Sequence, residues 1–292
     1  MPSADALVLR AVDFSESSLI VTLYTRQFGK TEALAKGGRR LKSPFESSLD
    51  ILARDSIAFI QKRGESLDLL TESKLIRRFR VHSRNFSGTL GGFYVAELLN
   101  SLTAPNDPIP ALYDLSIKVL HQLETGNLVM RTLIRYEGRL LQILGHSPSL
   151  RTCVQCGKTL ASHSASNDKI NFAQKYITFG MLDGGVLCSD CLPQSRQAGQ
   201  NQTIAVKAET LAVWDALTNP IDRSEHWKEV PMNSQTQNEI RRLANQYICN
   251  LLGWQPRLHA WWRLIAQYDN VHITQSGHSD GAIISDLRPQ VV

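Results

Sequence analysis

Four of the five cysteines fall into two Cys-x-x-Cys pairs, Cys153-Val154-Gln155-Cys156 and Cys188-Ser189-Asp190-Cys191. Together they supply four thiolates, the number that Zn²⁺ takes in a tetrahedral structural site. Four sulfur ligands leave no position for water or substrate, so a zinc ion held here is structural, not catalytic. Gly157, directly after the second cysteine, suits the tight turn in which backbone N–H groups face the sulfurs. The pairs are 31 residues apart, beyond the roughly 15–20 of a compact ribbon, and an inserted hairpin would account for the difference. Gly184-Gly185 marks a turn that delivers Cys188. His163 is an alternative ligand, although a solvated loop histidine is its plainer reading. Neither pair sits in the βαβ pattern of a redox dithiol, and metal-free thiols are the remaining alternative.

A second constellation is Lys36-Gly37-Gly38-Arg39-Arg40-Leu41-Lys42-Ser43, with four cations in seven residues and no acid among them. Its two glycines let the backbone approach a phosphate chain closely. The segment from Lys74 to Arg84 adds Lys74, Arg77, Arg78, Arg80 and Arg84, again without an acid. Such clusters are either solvated faces or the electrostatic footprint of nucleic-acid binding; two of them in one small domain favour the second. Phe14, Tyr24, Phe28, Phe45 and Phe59 lie in the same region. Some must fill a core and some could stack on unpaired bases, and pattern alone does not sort them.

Catalytic signatures are absent: the chain has no Walker A loop, no Gly-x-Gly-x-x-Gly after a strand, no Gly-x-Ser-x-Gly and no His-Glu-x-x-His. A protein without enzymatic activity is expected. Trp214, Trp227, Trp254, Trp261 and Trp262 read mostly as core, and Cys249 as a buried small side chain.

The elements that must carry these residues follow from length and periodicity. A chain of 292 residues with 42% hydrophobic and 20% charged residues is an ordinary globular protein of about two domains. Its net charge is +5, and residues 1–82 hold 14 Lys and Arg against 10 Asp and Glu. No apolar run is long enough for a membrane span, and Asp5, Arg10 and Asp13 break up any signal-like stretch, so a cytoplasmic location is expected. Segments 6–9, 19–24, 30–35, 56–60 and 67–71 read as strands separated by glycine and proline, which suggests a five-stranded OB-fold barrel over 1–82. From 85 to 146 the period becomes helical, with Leu90, Tyr94, Leu98 and Leu102 on one face and Leu133, Glu137, Leu140 and Leu144 on another. Asn106-Asp107-Pro108 reads as a helix start, and Gly126 and Gly145 as stops. Helical patterning resumes over 207–218 and 234–252. The expected class is α+β: a barrel at 1–82, a helical domain at 83–150 and 203–268, a four-cysteine zinc finger inserted at 151–202, and a disordered tail at 269–292.

In the order of these features the sequence resembles the RecO family of bacterial recombination and repair mediators. The resemblance rests on Ala6–Arg10 with Glu16, Val21, Tyr24-Thr25 and Gly29-Lys30, on Ala35–Ser43, and on Tyr94–Leu99. It continues through Leu140–Pro148 leading to the first cysteine pair and Gly184–Leu187 leading to the second. It implies binding of single- and double-stranded DNA through Lys36, Arg39, Arg40, Lys42, Arg77, Arg78 and Arg80. It also implies annealing of strands coated with single-strand binding protein (SSB), help in loading RecA together with RecR, and one structural Zn²⁺. Contact with the acidic, apolar C-terminal tail of SSB would suit Arg131, Arg135 and Arg139, which recur at i+4 on one helix face. The 31-residue gap departs from the family finger, and the tail after residue 265 has no counterpart. An RNA-binding zinc-ribbon accessory factor of transcription or translation is the alternative, with a metal-dependent nuclease third.

Overall fold

The computed structural model describes residues 3–40, 43–45, 48–62, 66–81, 85–126, 128–163, 170–172, 174–197, 202–219 and 226–257. The five expected strands are β1 (Ser3–Asp13), β2 (Leu19–Thr25), β3 (Gly29–Ala35), β4 (Arg54–Ile60) and β5 (Asp68–Arg77). They close into a barrel in the order β1-β2-β3-β5-β4, antiparallel throughout except where β3 meets β5. That order and closure are the OB-type barrel inferred from the strand pattern.

Its interior mixes small and large side chains: Ala4, Ala6, Ala33, Ala35 and Ala53, with Val8, Val21, Leu23, Ile57, Phe59 and Leu70. Phe45 and Leu49, from the segment joining β3 to β4, also enter this core. Leu49 and Leu52 take left-handed backbone angles, φ 67° and 69°, unusual for leucine. Burial of both side chains holds them there, together with hydrogen bonds from Leu49 N–H to Asp55 and from Leu52 N–H to Val8.

Strands β3 and β4 alternate buried with less buried residues, whereas β1 and β2 carry unbroken buried runs. Val8 faces the barrel, whereas Leu7, Leu9 and Tyr24 join the core of the helical domain. One outer face of the barrel is therefore covered by helices, which removes the polar side of the period-two pattern. Arg26 reinforces the junction with a two-pronged pair to Asp114, Nε–Oδ1 3.0 Å and Nη2–Oδ2 3.1 Å. Lys30 Nζ donates to the Asn100 carbonyl at 2.6 Å.

The helices are α1 (Phe86–Leu102), α2 (Pro110–Thr125), α3 (Val129–Ile143), α4 (Leu192–Gln197), α5 (Ala208–Thr218) and α6 (Ser234–Leu252), with a 3-10 turn at His226–Lys228. Gly126 ends α2 in the left-handed conformation, as expected of a stop. Asn106-Asp107 does not start α2. Asn106 N–H bonds to Lys30 O and the helix begins at Pro110, because Gly29 packs against the Asp107 backbone and claims this stretch as a turn on the barrel. A side chain at Gly29, where φ is +71°, would sit 2.2 Å from the Asp107 carbonyl oxygen.

Between α3 and α5 lie β6 (Ala161–His163) paired with β7 (Ile170–Phe172), and a sheet of β8 (Tyr176–Gly180), β9 (Gly185–Leu187) and β10 (Thr203–Lys207) in the order β10-β8-β9. Hairpins thus fill the long gap between the cysteine pairs. Strand β10, placed by the sequence reading with the helical domain, completes the same sheet as β8. Ile177, Phe179, Met181, Val186 and Val206 from this sheet join the helical core, so finger and helices share apolar packing. Among the described residues no helix is long and apolar enough to cross a membrane. The tail at 269–292, with Trp261 and Trp262, lies outside the described residues.

Candidate nucleic-acid interface and metal centre

The two cysteine pairs converge. Sγ atoms of Cys153, Cys156, Cys188 and Cys191 all lie within 4.8 Å of one another, three of the residues buried and Cys156 exposed. Zn–S bonds of ~2.3 Å in a tetrahedron require sulfur separations of about 3.8 Å. The Cys156–Cys188 separation is 3.7 Å. Two knuckles make this geometry. Gly157, at φ +72°, turns the chain so that its N–H bonds Cys153 O at 2.9 Å. Opposite it, Gly184 turns the β8–β9 hairpin and β9 runs straight into Cys188, whose N–H donates to Cys153 Sγ at 3.4 Å.

Burial raises the Cys153 thiol, but backbone N–H groups of Cys156, Cys188 and Gln155 outweigh it and bring the pKa down to about 6. Cys191 goes the other way, to about 12, through the neighbouring Cys188 thiol first and burial second. Four sulfurs this close together suit a divalent cation, which favours the thiolate form of its ligands. The donor set and spacing fit a closed structural site in which these four residues would hold Zn²⁺ and tie α4 and β9 to the segment after α3.

The basic segment following β3 is a tight turn at the barrel surface. Lys36, Arg39 and Arg40 are exposed; Arg40 N–H bonds Gly37 O at 3.0 Å. Arg39 reaches across to the β1–β2 turn: its N–H bonds Ser17 O at 3.1 Å and its guanidinium pairs with Asp13 at 3.1 Å. Lys42 lies outside the described residues, as does Arg84.

The second basic cluster is less open than its sequence suggests. Arg77 pairs with Glu124 at the end of α2, Arg78 pairs with Asp50 at 3.5 Å, and Arg80 N–H donates to Glu124 at 3.0 Å. Leu75, Ile76, Arg77, Arg78, Arg80 and Glu124 line a shallow groove of about 360 Å³. Its counter-ions come from 28 residues upstream and 47 downstream of their partners, beyond the reach of a local pattern.

A family model described as "Recombination protein O N terminal" matches residues 1–79, and one described as "Recombination protein O C terminal" matches residues 84–259. The chain belongs to the recombination protein O family. A protein named DNA repair protein RecO from Rhodopirellula baltica is 40% identical over 212 residues, 73% of this chain and 71% of the relative. One of the same name from Salinibacter ruber is 30% identical over 227 residues, 75% and 82%. Another from Syntrophus aciditrophicus is 27% identical over 249 residues, 85% and 90%.

Against this RecO frame, the arginine stripe on α3 has a different setting from the one its spacing suggests. Arg131 Nη1 donates to the carbonyls of Trp227 at 3.2 Å, Lys228 at 2.9 Å and Val230. Arg135 donates to Leu217 O and lies over the Trp227 ring, 5.2 Å from its centroid. Arg139 bonds Gln142 at 2.7 Å. Two of the three therefore satisfy carbonyls around the 3-10 turn and the end of α5. Trp214 and Trp227 are core, as expected, while Trp254 is 48% exposed. Sequence reasoning missed Glu124 and Asp50 as partners of the basic cluster. It also missed a buried network joining Tyr94, Glu137 and Arg241, whose only signal was an acid on an apolar helix face.

Proposed function

We propose that this protein is a recombination and DNA repair mediator without catalytic activity, acting in the cytoplasm at the nucleoid. It binds single- and double-stranded DNA through the barrel, anneals complementary strands coated with SSB and, with RecR, assists the loading of RecA. The observation that carries the reading is the exposed Lys36–Arg40 turn on an OB-type barrel in a chain of the RecO family. Phosphates of two strands repel each other; cations on one surface neutralise both, and release of condensed counterions drives the association. Lys42 and the Arg77, Arg78 and Arg80 cluster extend that surface. The cysteine cluster holds one Zn²⁺ whose role is to fix the finger against the helical core. The acidic tail of SSB docks on the α3 face bearing Arg139, while Arg131 and Arg135 hold the neighbouring backbone in place.

The test is the annealing rate of complementary oligonucleotides coated with SSB, with and without the protein. A salt-sensitive acceleration, lost in the double variant R39E/R40E and on deleting the SSB tail, is the expected result. DNA binding without acceleration, or full activity in the variant, would refute it.

A further inference from the structure

Of the six aromatic side chains in residues 1–82, five are accounted for by packing. Tyr24, Phe45 and Phe59 are buried, Phe28 is half-buried with its ring edge-on to Phe59 at 5.3 Å, and Phe79 is half-buried against the helical core. Phe14 is different. At 60% it has the highest exposure of any large apolar side chain among the described residues. It sits in the β1–β2 turn, whose backbone is tightly tied: Phe14 N–H bonds Ser18 O at 3.0 Å and Ser15 N–H bonds the same oxygen at 3.3 Å.

The basic turn braces the β1–β2 turn from the other side. Arg39 bonds Ser17 O through its backbone, Ser15 O through its guanidinium at 3.3 Å, and Asp13 as an ion pair. Three contacts flanking Phe14 on both sides fix the turn beside Lys36, Arg39 and Arg40. An exposed apolar ring on a rigid turn, next to a cationic turn that itself contains no acid, is the combination that takes a nucleobase face and its phosphate together.

We infer that Phe14 is the stacking platform of the DNA surface, receiving an unpaired base while the Lys36–Arg40 turn holds the adjoining phosphates. This rests on the DNA-binding reading above and deepens it. Base faces are free only in a single strand, since in a duplex they stack on one another. Phe14 therefore confers a preference for single strands that the cations alone do not supply.

Affinities for three probes of equal length separate the possibilities: an oligothymidylate, an abasic single strand and a duplex, measured by fluorescence anisotropy at one salt concentration. F14A is expected to weaken oligothymidylate binding by about five-fold or more, with the abasic strand and duplex unchanged. F14W restores it, and because the ring is exposed, both variants melt like the parent protein. Equal losses on all three probes, or no loss on oligothymidylate, would overturn the stacking assignment while leaving DNA binding intact. Failure of the unaltered protein to bind any probe would instead overturn the DNA-binding reading, and this inference with it.

Discussion

Glu137 on α3 and Arg241 on α6 form an ion pair inside the helical core, the carboxylate fully buried and the guanidinium 7% exposed. Tyr94 on α1 donates to the other carboxylate oxygen, and the Arg241 guanidinium lies 5.9 Å from the centre of the Tyr94 ring. Burial first, and the Glu137 charge second, push the Tyr94 hydroxyl well above its usual range, so it stays a donor. Three helices are tied at one point, and each partner satisfies a group that would otherwise be buried without compensation. Removing one member should be costly. R241M is expected to lose about 3–5 kcal/mol in urea unfolding, because Glu137 is left charged and dry. Adding E137Q should recover much of that loss; a double variant as unstable as the single would show that the pair is not the cause.

Asp55 in β4 is buried in the barrel wall, where one carboxylate oxygen accepts from Leu49 N–H and Ser73 Oγ, each at 3.0 Å. Burial raises its pKa above the ordinary 3.8, against the lowering effect of those two donors. The folded barrel therefore holds this proton more tightly than the unfolded chain. Its stabilising contribution is complete below 3.8 and is lost as pH rises through the folded pKa. Urea midpoints across the acid range should fall with rising pH in the parent relative to D55N, which has no carboxyl to ionise. Parallel curves for the two proteins would exclude Asp55 as the source.

Zinc removal should reach beyond the finger. Since Ile177, Phe179, Val186 and Val206 pack into the helical core, loosening the cysteine cluster exposes apolar surface shared with α3, α5 and α6. Metal analysis should find one zinc per chain, released by a thiol reagent with a chelator. The apo protein and C156S should melt several degrees lower, with the near-ultraviolet signal of buried Trp214 weakened. Unchanged melting after complete zinc loss would contradict the shared core.

Glu124 acts on the basic groove as an internal anion, since it holds Arg77 and the Arg80 amide at once. Neutralising it frees a cation for phosphate. E124Q is expected to bind duplex DNA more tightly and to steepen the salt dependence by about 0.9 in slope for each additional phosphate neutralised. R77A in the same background should abolish the effect. A slope that does not change would mean that the groove lies off the DNA path.

Local information accounts for much of the fold. Strands at 19–25 and 29–35 and helices at 208–218 and 234–252 follow from β-branched runs, helical periodicity and turn residues, all read within a few neighbours. The four-cysteine cluster was legible for the same reason: each Cys-x-x-Cys knuckle is a local geometry, and only the meeting of the two knuckles needed the chain to fold. Asn106-Asp107 misled because a capping pattern and a turn use the same residues; contact with Gly29 on the barrel chose the turn.

By itself the sequence determined the barrel, the helices, four thiols at metal-ligand spacing and a cationic turn, because spacing and composition act over short distances. Tertiary structure decided which charges stay open and which aromatics stay exposed. Arg77 and Arg78 found acids on other elements, Arg131 and Arg135 found carbonyls near α5, and Glu137 found Arg241 104 residues away. Phe14 and Phe59 are the same residue type in the same small barrel, yet one is exposed in a turn and the other fills the interior. The difference is physical: burial and charge pairing depend on what the rest of the chain brings alongside, and a local pattern carries no record of that.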